Sequence, residues 1–138
     1  MIGLDTNVLA RYLIEDATDV EAQSQREAAR RLIESGQALM ISKTVMLELE
    51  WLMRGYYRLA AEDIGAVLRH VLELPQANIE DRMAVAQAVA NMDAGLDFAD
   101  ALHHASYRAC TAIASFDDRK FARRARRLGL APAVIIPV

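Results

Sequence analysis

Short apolar runs alternate along this chain with longer segments of helical period, and this alternation constrains the fold more than any other feature. Runs such as Ala38–Ile41 and Thr111–Ser115 have the length of strands, and amphipathic segments long enough for helices separate them. Parallel strands joined by crossover helices produce this pattern. We therefore predict an α/β fold with a small, mostly parallel central sheet of four to five strands, covered by helices on both faces.

The individual elements can be read from the same pattern. Strands are predicted at Ile2–Leu4, Ala38–Ile41, Ala77–Ile79, Thr111–Ser115 and Val134–Ile136. Helices are predicted at Thr6–Ile14, Val20–Glu34, Thr44–Arg54, Ala61–Leu74, Arg82–Met92, Phe98–Ala109 and Asp118–Leu128. A chain of 138 residues suits one compact domain, so residues 1–138 are predicted to form a single domain.

Composition excludes several classes of protein. No apolar run approaches the roughly 18 residues of a membrane span, so we expect no membrane partner. Cys110 is the only cysteine, which excludes an intramolecular disulfide and favours a cytoplasmic location. Because Cys110 lies in an apolar stretch, its thiol is predicted to be buried and inert.

Two carboxylates directly follow predicted strands. Asp5 ends the first strand, and Asp117 closes the run TAIASFD. Functional groups in open α/β sheets gather at the carboxyl ends of the strands, so both acids are predicted at the same sheet edge. Either aspartate could instead cap the next helix, because Asp is a preferred N-cap residue. The residues alone leave both interpretations open.

The segment SKTVMLELEWLMRG contains two further acids in an otherwise apolar helix. Glu48 is predicted to lie half-buried between Leu52 and Trp51, where an unpaired carboxylate requires a reason such as function. Glu50 turns farther from the apolar face and has Arg54 at i+4, which predicts an exposed ion pair. Trp51 is predicted to be buried, and no aromatic platform for stacking bases is expected.

The segment GLDFADALHHA contains the last candidate acid. Asp97 has the position of an N-cap, whereas Asp100 projects between small alanine residues where a ligand could approach. His103 and His104 are adjacent and point about 100° apart on a helix, so they cannot share one metal ion. His104 could instead pair with Asp100 across one turn and orient it.

Together these carboxylates predict a site for a hard divalent cation. Several carboxylates at one sheet edge repel one another, and Mg²⁺ or Mn²⁺ with oxygen ligands relieves this repulsion. The lack of clustered cysteines and suitably spaced histidines argues against zinc. The chain also has no phosphate-binding glycine loop and no nucleophile-elbow motif. The remaining chemistry is metal-assisted hydrolysis of a phosphoryl group.

The segment DDRKFARRARRLG concentrates positive charge in a chain whose net charge is −3. On a helix its cations form a ridge, while Phe121, Ala122, Ala125 and Leu128 remain for the core. Such a ridge can be only a solvated face that complements the helix dipole. Beside an acidic metal site it instead suits a polyanionic substrate. The candidate substrate contacts are Arg119, Lys120, Arg123, Arg124 and Arg127.

Four short motifs, in sequence order, resemble those of the PIN-domain ribonucleases, in particular the VapC-type toxins of bacterial toxin–antitoxin pairs. The motifs are LDTNVL, TVMLELEWLMRG, DFADALHHA and SFD. The resemblance covers nearly the whole chain and implies a PIN fold and a Mg²⁺- or Mn²⁺-dependent endoribonuclease that cleaves RNA. It implies metal ligation by Asp5, Glu48, Asp100 and Asp117, with supporting roles for Thr6 and Ser115.

The resemblance also implies partners. These are a second copy of the chain in a homodimer and a VapB-type antitoxin, whose tail places an Arg or Lys among the carboxylates. Asp118 could exchange roles with Asp117, and a PIN-like chain could act as a catalytically inactive co-repressor subunit. A phosphatase of the haloacid dehalogenase type is disfavoured, because Asn7 stands where that family needs a second aspartate.

Overall fold

The predicted alternation of strands and helices is confirmed in a computed structural model that describes residues 1–138. The chain forms five short strands, seven α-helices and a five-residue π-helical segment. It divides into two compact units, Met1–Arg82 and Met83–Val138. The single domain predicted over residues 1–138 stays a prediction.

The first unit contains a three-stranded parallel sheet in the order β1-β2-β3. Ile2 aligns with Leu39, and Leu39 aligns with Ala77. The elements of this unit are β1 (Ile2–Gly3), α1 (Thr6–Leu13), α2 (Val20–Ile33), β2 (Leu39–Ile41), α3 (Lys43–Gly55), α4 (Ala61–Leu72) and β3 (Ala77–Ile79).

Apolar helix faces form the core of the first unit. Helix α1 packs against α2 and α3, and α3 packs against α4. The side chains of Leu9, Leu39, Leu49 and Leu68 are fully buried there. Helix α3 starts at a defined residue because the Ser42 hydroxyl accepts a hydrogen bond from the Val45 amide at 3.2 Å. This cap fixes the position of the acids on α3.

The second unit contains a two-stranded parallel sheet, in which Ile113 aligns with Val134. Buried alanines on two helices, including Ala84, Ala88 and Ala101, contribute to its core. The elements are α5 (Arg82–Asp93), which starts at the boundary between the units, α6 (Phe98–Ser106), β4 (Ala112–Ala114), the π-helical segment (Asp118–Ala122), α7 (Arg123–Arg127) and β5 (Ala133–Ile135).

Two details differ from the sequence-based prediction. The strands form two sheets instead of one, because β4 and β5 pair with each other. Short apolar runs predict strands but do not specify which strands pair. The helix predicted over Asp118–Leu128 begins as a π-helical segment and continues as α7.

No helix of this fold is both long enough and apolar enough to cross a lipid bilayer.

Candidate functional site

Asp5 lies at the carboxyl end of β1 and caps helix α1. Its Oδ1 accepts a hydrogen bond from the backbone amide of Thr6 at 2.8 Å. Leu4 before it is buried, whereas the Asp5 side chain is exposed. The capping role and a functional role are therefore compatible, because an exposed carboxylate has two oxygens and the cap uses one of them.

The hydroxyl of Thr6 is a buried polar atom without a hydrogen-bond partner. The residue is 8% exposed, and its Oγ1 finds no donor or acceptor within the protein. Burying an unsatisfied hydroxyl costs about 1–3 kcal/mol, so such an atom in a native fold needs an explanation. A water molecule or a cation bound beside Asp5 would satisfy it.

Glu48 and Asp5 both line an open cleft of about 590 Å³ in the first unit. Thr6 and Arg54 also line this cleft. Glu48 is exposed, so the prediction that it lies half-buried is wrong. The structure nevertheless brings together the two candidate acids of this unit, one from the end of β1 and one from the middle of α3.

Glu50, rather than Glu48, is the buried acid of α3. The residue is 4% exposed, and its carboxylate accepts hydrogen bonds from Arg54 Nε at 2.9 Å and Nη2 at 3.3 Å. The predicted pair with Arg54 is thus present, but its acid is buried instead of exposed. Glu50 is buried because of the orientation of α3. The buried face of this helix includes Met46 and Glu50, whereas Leu52 is only half-buried.

Two aromatic side chains in the same cleft were not predicted as functional residues. Trp51 is 65% exposed and Tyr56 is 69% exposed, and both line the cleft beside Asp5 and Glu48. The prediction that Trp51 is buried is therefore wrong. The signal available in the sequence was its spacing, because Trp51 follows Glu48 by three residues on a helix and shares its surface.

Asp100 lies on α6 in the second unit and is half-buried. Burial raises the pKa of the Asp100 carboxyl, and the negative charges of Asp97 and Asp117 raise it further. The positive charges of His103 and Arg124 oppose this rise in pKa. The negative charges near Asp100 thus act in the same direction as its burial and oppose its ionisation.

Asp117 follows β4 and caps the π-helical segment. Its Oδ1 accepts a hydrogen bond from the Lys120 amide at 2.9 Å, and its own amide donates to the Ser115 hydroxyl at 3.0 Å. Ser115 therefore holds the backbone at Asp117. The neighbouring Asp118 is the first residue of the π-helical segment and is also exposed.

His104 does not have the role suggested for it. Its ring is 4% exposed, and Nε2 donates to the backbone carbonyl of Pro132 at 2.9 Å. This hydrogen bond holds the residue before β5 against α6, so the suggested pairing with Asp100 is replaced by a structural contact. Cys110 is exposed, and the prediction of a buried thiol is wrong, because Cys110 lies beyond the end of α6.

The basic segment has the two faces that were predicted. Phe121, Ala122 and Ala125 are buried, whereas Leu128, which was also predicted for the core, is half-buried. The exposed cations are Arg119, Lys120, Arg123, Arg126 and Arg127, while Arg124 is half-buried. The exposed ridge begins directly after Asp117, so positive charge lies next to an acid within the second unit.

The chemistry of the donors fits a hard cation. Within the first unit, Asp5 and Glu48 offer carboxylate oxygens to one cleft, and Thr6 adds an unsatisfied hydroxyl. Oxygen donors of this kind suit Mg²⁺ or Mn²⁺. No group of three or more His, Cys, Asp or Glu side chains is arranged in the structure as a metal site.

Comparison with known protein families identifies the family of this chain. No curated protein matches the chain significantly. The family model of the PIN domain matches residues 2–127. PIN domains are generally nucleases, and PIN-domain nucleases typically use divalent metals. Because the match covers nearly the whole chain and the fold agrees with it, this protein belongs to the PIN-domain family.

Proposed function

We propose that this PIN-domain protein is a Mg²⁺- or Mn²⁺-dependent endoribonuclease that acts as the toxin of a VapBC-type toxin–antitoxin pair. One observation carries the proposal: Asp5 and Glu48, two acids of the PIN-like motifs, line one open cleft at the carboxyl end of β1. Asp100 and Asp117 complete the proposed set of acids, and Ser115 and Thr6 support it.

We assign metal binding and RNA binding to different residues of this chain. Asp5, Glu48, Asp100 and Asp117 would hold the cation, which supplies an activated water and neutralises charge on the phosphoryl group. Arg119, Lys120, Arg123, Arg124 and Arg127 would position the phosphates of the RNA. The ionised form of Asp100 is required for ligation, and a bound cation would favour that form.

The same charges support the proposed partner. A cluster of carboxylates attracts a cationic side chain as well as a metal ion, so an Arg or Lys from a VapB-type antitoxin could neutralise the site. A homodimer and a cytoplasmic location belong to this proposal, because they accompany the VapC-type resemblance.

The test is cleavage of a mixed RNA pool by the purified protein with Mn²⁺, with Mg²⁺ and with EDTA. The diagnostic variant is Asp5→Asn, because asparagine caps helices as well as aspartate does and so preserves α1. We expect cleavage to fall at least about 100-fold in this variant and to be lost in EDTA.

Asp63→Asn is the matched control, since Asp63 is an exposed acid in the first turn of α4 and does not line the cleft. This control should cleave like the wild type. RNA that stays intact in every condition, although the protein binds Mn²⁺, would contradict the nuclease proposal and favour an inactive co-repressor subunit.

A further inference from the structure

The cleft that holds Asp5 and Glu48 also has an aromatic wall formed by Trp51 and Tyr56. Both side chains are mostly exposed, at 65% and 69%. Large aromatic groups bury well and are costly to leave in water, so two of them in one cleft indicate a ligand surface. Trp51 follows Glu48 by three residues on α3, which places an aromatic ring and a carboxylate on adjacent turns of one helix surface.

Neighbouring side chains hold Tyr56, one of the two members of the aromatic wall, in place. The rings of Tyr56 and Tyr57 meet edge to face, with centroids 4.9 Å apart and an angle of 85° between the planes. The Tyr57 hydroxyl accepts a hydrogen bond from Arg11 Nη1 at 3.3 Å, which ties this pair to α1. The Tyr56 side of the wall is therefore supported before any ligand binds, which lowers the entropy lost on binding.

The charges of the cleft restrict what can occupy it. An anionic group placed on the aromatic wall would lie close to the carboxylates of Asp5 and Glu48 and would be repelled, since Arg54, the cation in the lining, is already paired with Glu50. A nucleobase carries no charge at neutral pH, is flat, and gains about 1–3 kcal/mol by stacking on an aromatic side chain. The wall thus suits the base of a nucleotide, while the acids suit a cation on its phosphodiester.

We propose that an unpaired nucleobase of the RNA substrate stacks on Trp51, flanked by Tyr56, and so positions the adjoining phosphodiester at Asp5 and Glu48. The proposal rests on the proposed nuclease function and adds to it the side chain that receives the base. A base inside a duplex has no free face, so the substrate is a single strand or a loop. Trp51 is a positioning residue in this account, and it takes no part in the chemistry.

The fluorescence of Trp51 can report whether a base is stacked on it, because Trp51 is the only tryptophan of the chain. The experiment titrates the wild-type protein in EDTA with a short single-stranded RNA and follows tryptophan emission. Matched titrations use an abasic oligonucleotide of equal length and charge and a blunt duplex of the same sequence. We expect quenching by the single strand and none by the abasic strand or the duplex.

Affinity is measured separately by the anisotropy of labelled RNA. Trp51→Leu should weaken single-strand binding by about 5- to 150-fold, and Trp51→Phe should restore most of it, since phenylalanine keeps a face for stacking. Because Trp51 is mostly exposed, its replacement should leave the fold intact, which circular dichroism can verify. Tyr107→Leu is the matched control, as Tyr107 is an exposed aromatic residue on the other unit.

The outcomes separate this proposal from the function on which it rests. Quenching with the expected loss of affinity in Trp51→Leu, but without cleavage in Mn²⁺, supports stacking and counts against the nuclease. The opposite outcome is cleavage of RNA together with Trp51 emission and an RNA affinity that are the same for the normal and the abasic strand. It would support the nuclease and overturn stacking. In that case the aromatic wall would belong to a protein contact instead.

Discussion

Asp100 is partly withdrawn from water in the folded chain, and its ionisation therefore affects stability. Burial, followed by the charges of Asp97 and Asp117, raises its pKa above the usual value for aspartate. As pH rises through the usual aspartate range, the unfolded chain loses the Asp100 proton before the folded chain does. The folded state then binds more protons, so rising pH lowers the free energy of unfolding until it passes the raised pKa.

Asp100→Asn removes this contribution and gives a first prediction. The comparison is made in EDTA. At a pH low enough to protonate Asp100 in both the folded and the unfolded chain, its ionisation contributes nothing to the difference in stability between the variant and the wild type. The variant should gain stability relative to the wild type as pH rises toward neutrality. Urea unfolding across this pH range measures the difference. A difference that does not vary with pH would contradict the raised pKa.

The buried carboxylate of Glu50 gives a second prediction at the scale of single residues. Arg54 is its bidentate partner, so Arg54→Ala leaves a buried charge without compensation. We expect a loss of about 1–3 kcal/mol in the free energy of unfolding, limited by the exposure of Arg54 to water. The double variant Glu50→Leu/Arg54→Ala should recover most of this loss. Urea denaturation of both variants and the wild type measures it, and equal stability of Arg54→Ala and wild type would count against the pair.

The positions of Glu48, Glu50 and Trp51 show where sequence reasoning stops at this scale. The helix α3 is apolar on nearly all sides, so its period fixes the angle between residues but not the face that packs against α1 and α4. A modest rotation buries Glu50 and exposes Glu48 and Trp51. The identities of the acids could be predicted from the motifs, whereas their burial depended on tertiary packing.

Among the elements, the basic ridge on the π-helical segment and α7 gives a third prediction. If it contacts phosphates, the triple variant Arg119→Gln/Arg123→Gln/Arg127→Gln should bind RNA less tightly. The slope of the logarithm of the affinity against that of salt concentration should fall by about 0.7 for each phosphate that is no longer neutralised. The control Arg30→Gln/Arg31→Gln removes cations from α2 that already pair with Glu27. An unchanged slope in the triple variant would mean that the ridge is a solvated surface that does not contact phosphates.

Elements were largely predictable because each is defined by local signals. Capping residues such as Asp5, Ser42 and Asp19 precede helices, and Gly36, Gly95 and Gly129 adopt positive φ angles where helices have ended. The division into two sheets was not predictable, since three apolar residues in a strand carry no information about their partner. The π-helical start of the basic segment likewise has no signal in its apolar spacing.

At the scale of the whole molecule, the proposed metal ligands Asp5, Glu48, Asp100 and Asp117 give a fourth prediction. Mn²⁺ should raise the unfolding temperature of the wild type, because a ligand of the folded state adds about 2.7 kcal/mol at 100 times its Kd. Asp5→Asn and Asp100→Asn should each abolish the rise.

Differential scanning calorimetry with and without Mn²⁺ measures this effect, and Asp63→Asn should respond like the wild type. A rise that survives in Asp100→Asn but not in Asp5→Asn would mean that the metal needs only the first unit. The proposed ligand set would then be wrong, although the cleft at Asp5 would stand.

The exposed thiol of Cys110 has a consequence of a different kind. Each unit carries one residue type that occurs nowhere else in the chain, the indole of Trp51 in the first and the thiol of Cys110 in the second. An acceptor dye attached to Cys110 would take up excitation energy from Trp51 with an efficiency set by their separation. The sequence thus already contains both the donor and a single labelling site for energy-transfer measurements on this chain, without any substitution.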